Sequence, residues 1–165
     1  MIIESLSVVS GTVPATGSIT GQAALPVAGT PVVSTNSIDL GVARDIGEGE
    51  DLYMVFTLTE AYNTLTSLQF EVIYATNAAL TTGIVAGGSS GAIALADLTP
   101  AGNSYYVRLT PGIYKATGGS GVGARYLGAR YSTLGSTPTT GAVCAYITSD
   151  IQDGKKFYAS GFTVA

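Results

Sequence analysis

The chain contains no histidine and no tryptophan, and it has a single cysteine and few charges. Asp, Glu, Lys and Arg together make up 11% of its 165 residues, against about 25% in an ordinary soluble domain. Each shortage excludes something. Without histidine, no acyl-transfer triad of the usual kind can be assembled, leaving only Lys-dependent or paired-carboxylate schemes formally open. With Cys144 alone, no intrachain disulfide can form, which agrees with synthesis in a reducing cytosol. The seven cations, set against a net charge of −4, make no basic stripe. Only Arg125 with Arg130, and Lys155 with Lys156, come near clustering, so nucleic acid is not an expected partner. Long apolar runs are missing too. The charge-free stretch from Ser5 to Ile38 is interrupted by Pro14, Pro26 and Pro31, and that from Val72 to Ala96 by Gly83, Gly87, Gly88 and Gly91. Neither approaches the roughly 20 consecutive apolar residues of a membrane-spanning helix, so no membrane association is expected. The N-terminal MIIESLSVV carries Glu4 and no basic residue, unlike a secretory leader.

What is present is mildly apolar and built for strands. Mean hydropathy is +0.38, high for a soluble chain. A monomer with so few charges implies that part of its surface is covered by another protein. No helical periodicity survives the Gly, Thr and Ser interruptions. Two-residue alternation is clear in several places. In Leu52–Thr59, Leu52, Met54, Phe56 and Leu58 share one face. In Leu68–Tyr74, Leu68, Phe70, Val72 and Tyr74 oppose Gln69, Glu71 and Ile73. Tyr105, Val107 and Leu109 repeat the pattern, and in 125–131 Leu127, Ala129 and Tyr131 oppose Tyr126, Gly128 and Arg130. Ala142–Thr148 and Phe157–Val164 are further strands, with shorter ones at Ile2–Val9, Ile38–Leu40, Gly83–Ala86 and Ile93–Leu95. The glycine-rich pieces 87–91 and 118–121 are read as breaks between strands. The fold class expected is all-β: an antiparallel β-sandwich, a jelly roll of about eight strands. It forms one domain over 1–165, with the Pro/Gly/Thr-rich residues 10–35 as an extended N-terminal arm or loop insertion.

The residues that invite a chemical role have plainer readings. Asp45, Glu48, Glu50 and Asp51, spaced by Gly47 and Gly49, make an oxygen-rich loop of the kind calcium favours. The spacing does not match an EF-hand, and Arg44 sits beside it, so a solvated loop with a local ion pair is expected and no metal or other cofactor. Glu71 and Asp97 are single carboxylates without a partner that sequence identifies. Cys144 sits in an alternating strand with no adjacent cation to activate it and reads as a packing residue. Six of the ten tyrosines (Tyr105, Tyr106, Tyr126, Tyr131, Tyr146 and Tyr158) fall in or beside strands. They suit sandwich packing or subunit contact, and alternatively a sugar-stacking platform. Arg125 and Arg130 are expected to pair with Asp39 or Asp45 across the sheet.

Several blocks of the chain also carry a family likeness: Ser37-Ile38-Asp39-Leu40-Gly41, Arg44-Asp45-Ile46-Gly47-Glu48-Gly49, Leu52-Tyr53, Arg125-Tyr126-Leu127, Arg130-Tyr131, Gly141-Ala142-Val143 and Tyr158-Ala159-Ser160-Gly161-Phe162-Thr163. Through them the chain resembles the capsid cement (decoration) proteins of short-tailed phages, of the type found on Bordetella phage heads. The resemblance implies a non-enzymatic jelly roll on the outer surface of an icosahedral head. Such a protein bridges neighbouring major capsid protein subunits and self-associates about local two-fold axes, a trimer at three-fold positions being the alternative. The rival expectation is a carbohydrate-binding jelly roll of a phage fibre or adsorption protein. The structural and interaction candidates are Asp39, Arg44, Asp45, Arg125, Arg130 and Tyr158.

Overall fold

The alternating segments fold as the period of two requires, with their apolar faces turned toward each other across two sheets. The computed structural model describes residues 7–12, 18–41, 51–109, 124–149 and 151. Its strands are β1 (Val8–Ser10), β2 (Val32–Val33), β3 (Ile38–Asp39), β4 (Tyr53–Glu60), β5 (Leu65–Ala75), β6 (Val85–Ala94), β7 (Ser104–Arg108), β8 (Tyr126–Gly135) and β9 (Ala142–Thr148), with one helical turn, α1 (Leu95–Leu98). One sheet runs β1-β9-β4-β7 and the other β2-β8-β5-β6, and β3 also pairs with β8. Every pairing is antiparallel. Because β2 and β3 occupy successive parts of the same β8 edge, they act as one interrupted strand. Among the described residues that leaves two four-stranded sheets between which the chain repeatedly crosses, the arrangement of a jelly roll.

Met54, Phe56 and Leu58 of β4 meet Leu68, Phe70, Val72 and Tyr74 of β5 and Leu127, Ala129 and Tyr131 of β8 in the main core, all at most 1% exposed. The Phe56 and Phe70 rings stack with centroids 4.9 Å apart, and Tyr131 stands edge-on to both at 6.1 and 6.0 Å. These are the favoured aromatic geometries, and each fully buried side chain of this size contributes on the order of 1.5–3 kcal/mol. A register shift in β1 between Val8 and Ser10 leaves both Val9 and Ser10 fully buried. The Ser10 hydroxyl then satisfies the buried phenol of Tyr131 at 2.5 Å. A bulge has re-aimed one polar side chain to where a core hydroxyl needs it.

Two expectations change. Gly87-Gly88-Ser89-Ser90-Gly91 is not a break but the middle of β6, which joins the two short candidates on either side. Two register shifts against β5 absorb the irregularity. The glycines allow close approach, since a Cβ on Gly87 would lie 2.5 Å from the Tyr74 ring and one on Gly88 2.7 Å from the Arg108 carbonyl oxygen. A helical turn exists where none was expected, at 95–98. Of residues 10–35, those from 18 onward fold back onto the sandwich as an insertion. Gln22 exchanges both backbone hydrogen bonds with Val143 (2.8 and 2.9 Å), and the buried Tyr62 hydroxyl donates to the Ala24 carbonyl at 2.9 Å. The expected strand at 157–164 and the glycine run 118–121 lie outside the described residues.

Candidate interaction surface

The strand ends of β3, β4, β7 and β8 meet at one end of the sandwich, and their side chains are tied in pairs. Asp39 closes β3 opposite Tyr126, which brings the preceding Arg125 within reach. The guanidinium donates twice to the Asp39 carboxylate, at 2.5 Å each, and Asp39 also accepts the Gly41 N–H at 2.8 Å. Arg125, followed by the Gly41 amide, holds the Asp39 carboxyl below its ordinary range. The same guanidinium lies 5.4 Å from the centroid of the Tyr126 ring. Arg108, the last residue of β7, is register partner to Tyr53 and forms an ion pair with Asp51. Backbone bonds from Leu40 N–H to the Arg125 carbonyl (3.0 Å) and from Leu109 N–H to the Leu52 carbonyl (2.8 Å) complete the stitching.

The outer face of β8-β5-β6 forms a second surface. Register places three cross-strand rows side by side: Arg130, Glu71 and Ser89; Ser132, Gln69 and Ala92; Leu134, Ser67 and Ala94. The Arg130 guanidinium donates to both Glu71 oxygens, at 2.7 and 3.1 Å, and covers a carboxylate residue that is only 8% exposed. Gln69 donates to the Ser89 hydroxyl at 2.7 Å. Leu134, 66% exposed, is the most exposed large hydrophobic side chain among the described residues. These rows are therefore internally neutral and weakly apolar at one corner.

Of the residues singled out in the sequence, Asp39 and Arg125 come together as one of the expected pairings. Arg130 does not reach Asp39; its partner is Glu71, the carboxylate that had no identifiable partner in the sequence. Arg44, Asp45 and Tyr158 lie outside the described residues, as do Glu48 and Glu50. Asp51, the described member of the acidic loop, is committed to Arg108. Glu71, Asp51 and Arg108 were thus missing from the candidate pairings. The outward phase shared by Glu71 and Arg130 was the available signal, and the strand register needed to match them was not. Among the described residues no group of three or more acidic, His or Cys side chains could hold a metal ion, and no helix is long and apolar enough to cross a membrane. Cys144 is fully buried, and burial pushes its thiol up to about 11. Tyr131 and Tyr146 are buried and Tyr105, Tyr106 and Tyr126 half-buried, so none presents a fully open ring. A family model described as Bbp16 matches residues 12–147. No curated protein matches the chain.

Proposed function

The chain belongs to the Bbp16 family, whose model covers most of its length, and on that premise we propose that it is a non-enzymatic phage virion protein. It binds the outside of an icosahedral head and cements neighbouring major capsid subunits, with self-association as a dimer. The observation that carries this reading is the three cross-strand rows on the outer face of β8-β5-β6, in which the charged pair Glu71 and Arg130 neutralises itself and the other side chains (Ser67, Gln69, Ser89, Ala92, Ala94, Ser132 and Leu134) are uncharged. Such a face suits close, weakly polar contact with another protein, where unpaired charge carries a desolvation cost. The likeness to capsid cement proteins seen in the sequence falls largely within the same matched stretch and supports the same reading. Among the described residues no tyrosine ring is fully open, which favours this reading over a sugar-stacking platform.

A cement role fits the energetics of weak contacts repeated by symmetry. Binding only the folded state stabilises that state by mass action, and many copies together hold the head against internal DNA pressure. The test is direct. Purified protein is mixed with expanded empty capsids of its own phage, and bound copies are counted as its concentration rises. Saturation at a fixed copy number per capsid is expected, and failure to bind any capsid form overturns the proposal.

A further inference from the structure

The connection from β5 to β6 holds a strained side chain in a fitted notch. Leu80 has φ of 56°, a left-handed conformation that disfavours a residue with a branched side chain and persists only where the surroundings impose it. Its side chain is 1% exposed and packs on Ile73 and Ala75, with Val33 and Tyr126 at the margin, on the outer face of the sheet. Gly128 makes room for it, for a Cβ there would lie 2.3 Å from Leu80 Cδ1. The other wall of the notch is Ser34, whose hydroxyl is fixed by accepting the Ala129 N–H (3.0 Å) and donating to the Asn36 carbonyl (2.8 Å).

The rest of the loop is tied to itself. The Asn77 carboxamide oxygen accepts the N–H groups of Thr81 and Thr82 at 2.9 and 3.1 Å, and its nitrogen donates to the Thr81 hydroxyl at 2.8 Å. Thr76 donates its N–H and its hydroxyl to the Thr82 carbonyl, each at 3.0 Å. Ser37 ties the loop to the β2–β3 segment by donating to the Ala78 carbonyl at 3.0 Å. While Leu80 points in, Ala78, Ala79, Thr81 and Thr82 point to solvent, and Ile84 at the loop's end is 37% exposed. No charged residue occurs between Glu71 and Asp97.

We propose that residues 76–84 form a preorganised recognition loop, anchored by Leu80 in the Gly128 notch, whose uncharged Ala/Thr/Ile tip docks on an uncharged, weakly apolar surface of a major capsid subunit. The identity of that partner rests on the head-cement reading above. The physical logic is that a loop already fixed in its bound shape loses little conformational entropy on docking, and an uncharged tip loses little on desolvation. The strained Leu80 backbone is a cost, and the internal hydrogen bonds that hold the loop around it are a constraint, that a merely connecting loop of this length does not require.

The test has two arms on the full chain. In hydrogen exchange, the Leu80, Thr81 and Thr82 amides are expected to be protected in the wild type. Gly128→Ala, which drives Leu80 from its notch, is expected to lower that protection at least tenfold while amides in β4 and β9 stay protected. Exchange of the wild-type loop at unstructured-peptide rates overturns the proposal. In capsid binding, Ala79→Glu and Ile84→Glu, which place charge on the exposed tip, are expected to weaken binding at least tenfold with an unchanged melting temperature. Wild-type-like binding by both variants overturns the loop's role and leaves the head-cement reading standing. A wild-type protein that binds no capsid overturns that reading, and the loop's assigned partner falls with it.

Discussion

Glu71 and Arg130 are register partners across the β5–β8 ladder, and the carboxylate accepts both of its strong hydrogen bonds from that one guanidinium, at 2.7 and 3.1 Å. The pair sits on the outer face of a sheet, yet Glu71 is buried, because the arginine stem and head lie over it. Removing either partner therefore has unequal consequences.

Arg130→Ala strips the cover and leaves a carboxylate short of donors in a partly desolvated site. The expected loss is about 2 kcal/mol in urea unfolding, within the range for stranding a buried charged acceptor. The double variant Glu71→Gln/Arg130→Ala removes the charge as well and is expected to recover about half of that loss. Equal loss in the single and double variants would show that packing under the arginine, and not the stranded charge, sets the cost.

The Ser10–Tyr131 contact makes a sharper demand, because both hydroxyls are in the core and each satisfies the other. Tyr131→Phe keeps the edge-on ring against Phe56 and Phe70 but leaves the Ser10 hydroxyl without that partner. A loss of about 1–2 kcal/mol is expected, read as a melting temperature lower by a few degrees. Ser10→Ala on the Tyr131→Phe background should restore part of the loss, since two absent partners cost less than one orphan. No change in melting for Tyr131→Phe would show that the short contact contributes nothing.

These two pairs mark what was legible in the chain and what was not. The inward faces of β4, β5 and β8 could be read directly, because alternating Leu, Met, Phe, Val and Tyr leave one arrangement that buries them. Their edges and mutual register could not. Nothing local says that Glu71 lies opposite Arg130, or that a bulge turns Ser10 toward Tyr131. The middle of β6 was misread for a related reason. Glycines usually interrupt strands, but Gly87 and Gly88 sit where the Tyr74 ring and the end of β7 come too close for any side chain, a fact of packing between distant segments. The ion pair of Asp39 with Arg125 was among the pairings anticipated, although the sequence left Asp45 equally eligible.

Cys144 provides a test of burial that needs no stability measurement. Its thiol is fully buried in a small cluster with Val8, Val55 and Tyr146, and burial raises its ionisation to about 11. Thiolate is the reactive form, so a disulfide reagent at pH 8 meets neither an accessible nor an ionised sulfur. Labelling of the native protein is expected to be at least a hundredfold slower than in urea. Native labelling at the rate of a free thiol would contradict the packing of β9 described above.

The Asp39–Arg125 pair predicts a pH dependence whose sign follows from the direction of the shift. Asp39 titrates below its ordinary value of 3.8, chiefly because Arg125 binds the carboxylate and secondarily because the Gly41 N–H does. A group whose folded pKa is depressed contributes stability above its unfolded value, and that contribution disappears as pH falls through the folded one. The tie between β3 and β8 should therefore be intact at pH 5 and loosen only below about 3.8. Carboxyl chemical shifts followed by NMR give the midpoint directly. Arg125→Gln is expected to raise the Asp39 midpoint toward 3.8 without reaching it, because the Gly41 amide still donates. High salt should raise the wild-type midpoint as well, since both side chains are well exposed and their attraction is screened. A midpoint that ignores both the substitution and the salt would mean that Arg125 is not what holds the carboxylate, and the coupling between β3 and the start of β8 would have to rest on the backbone pairing, the β3–β8 ladder and the Leu40–Arg125 bond.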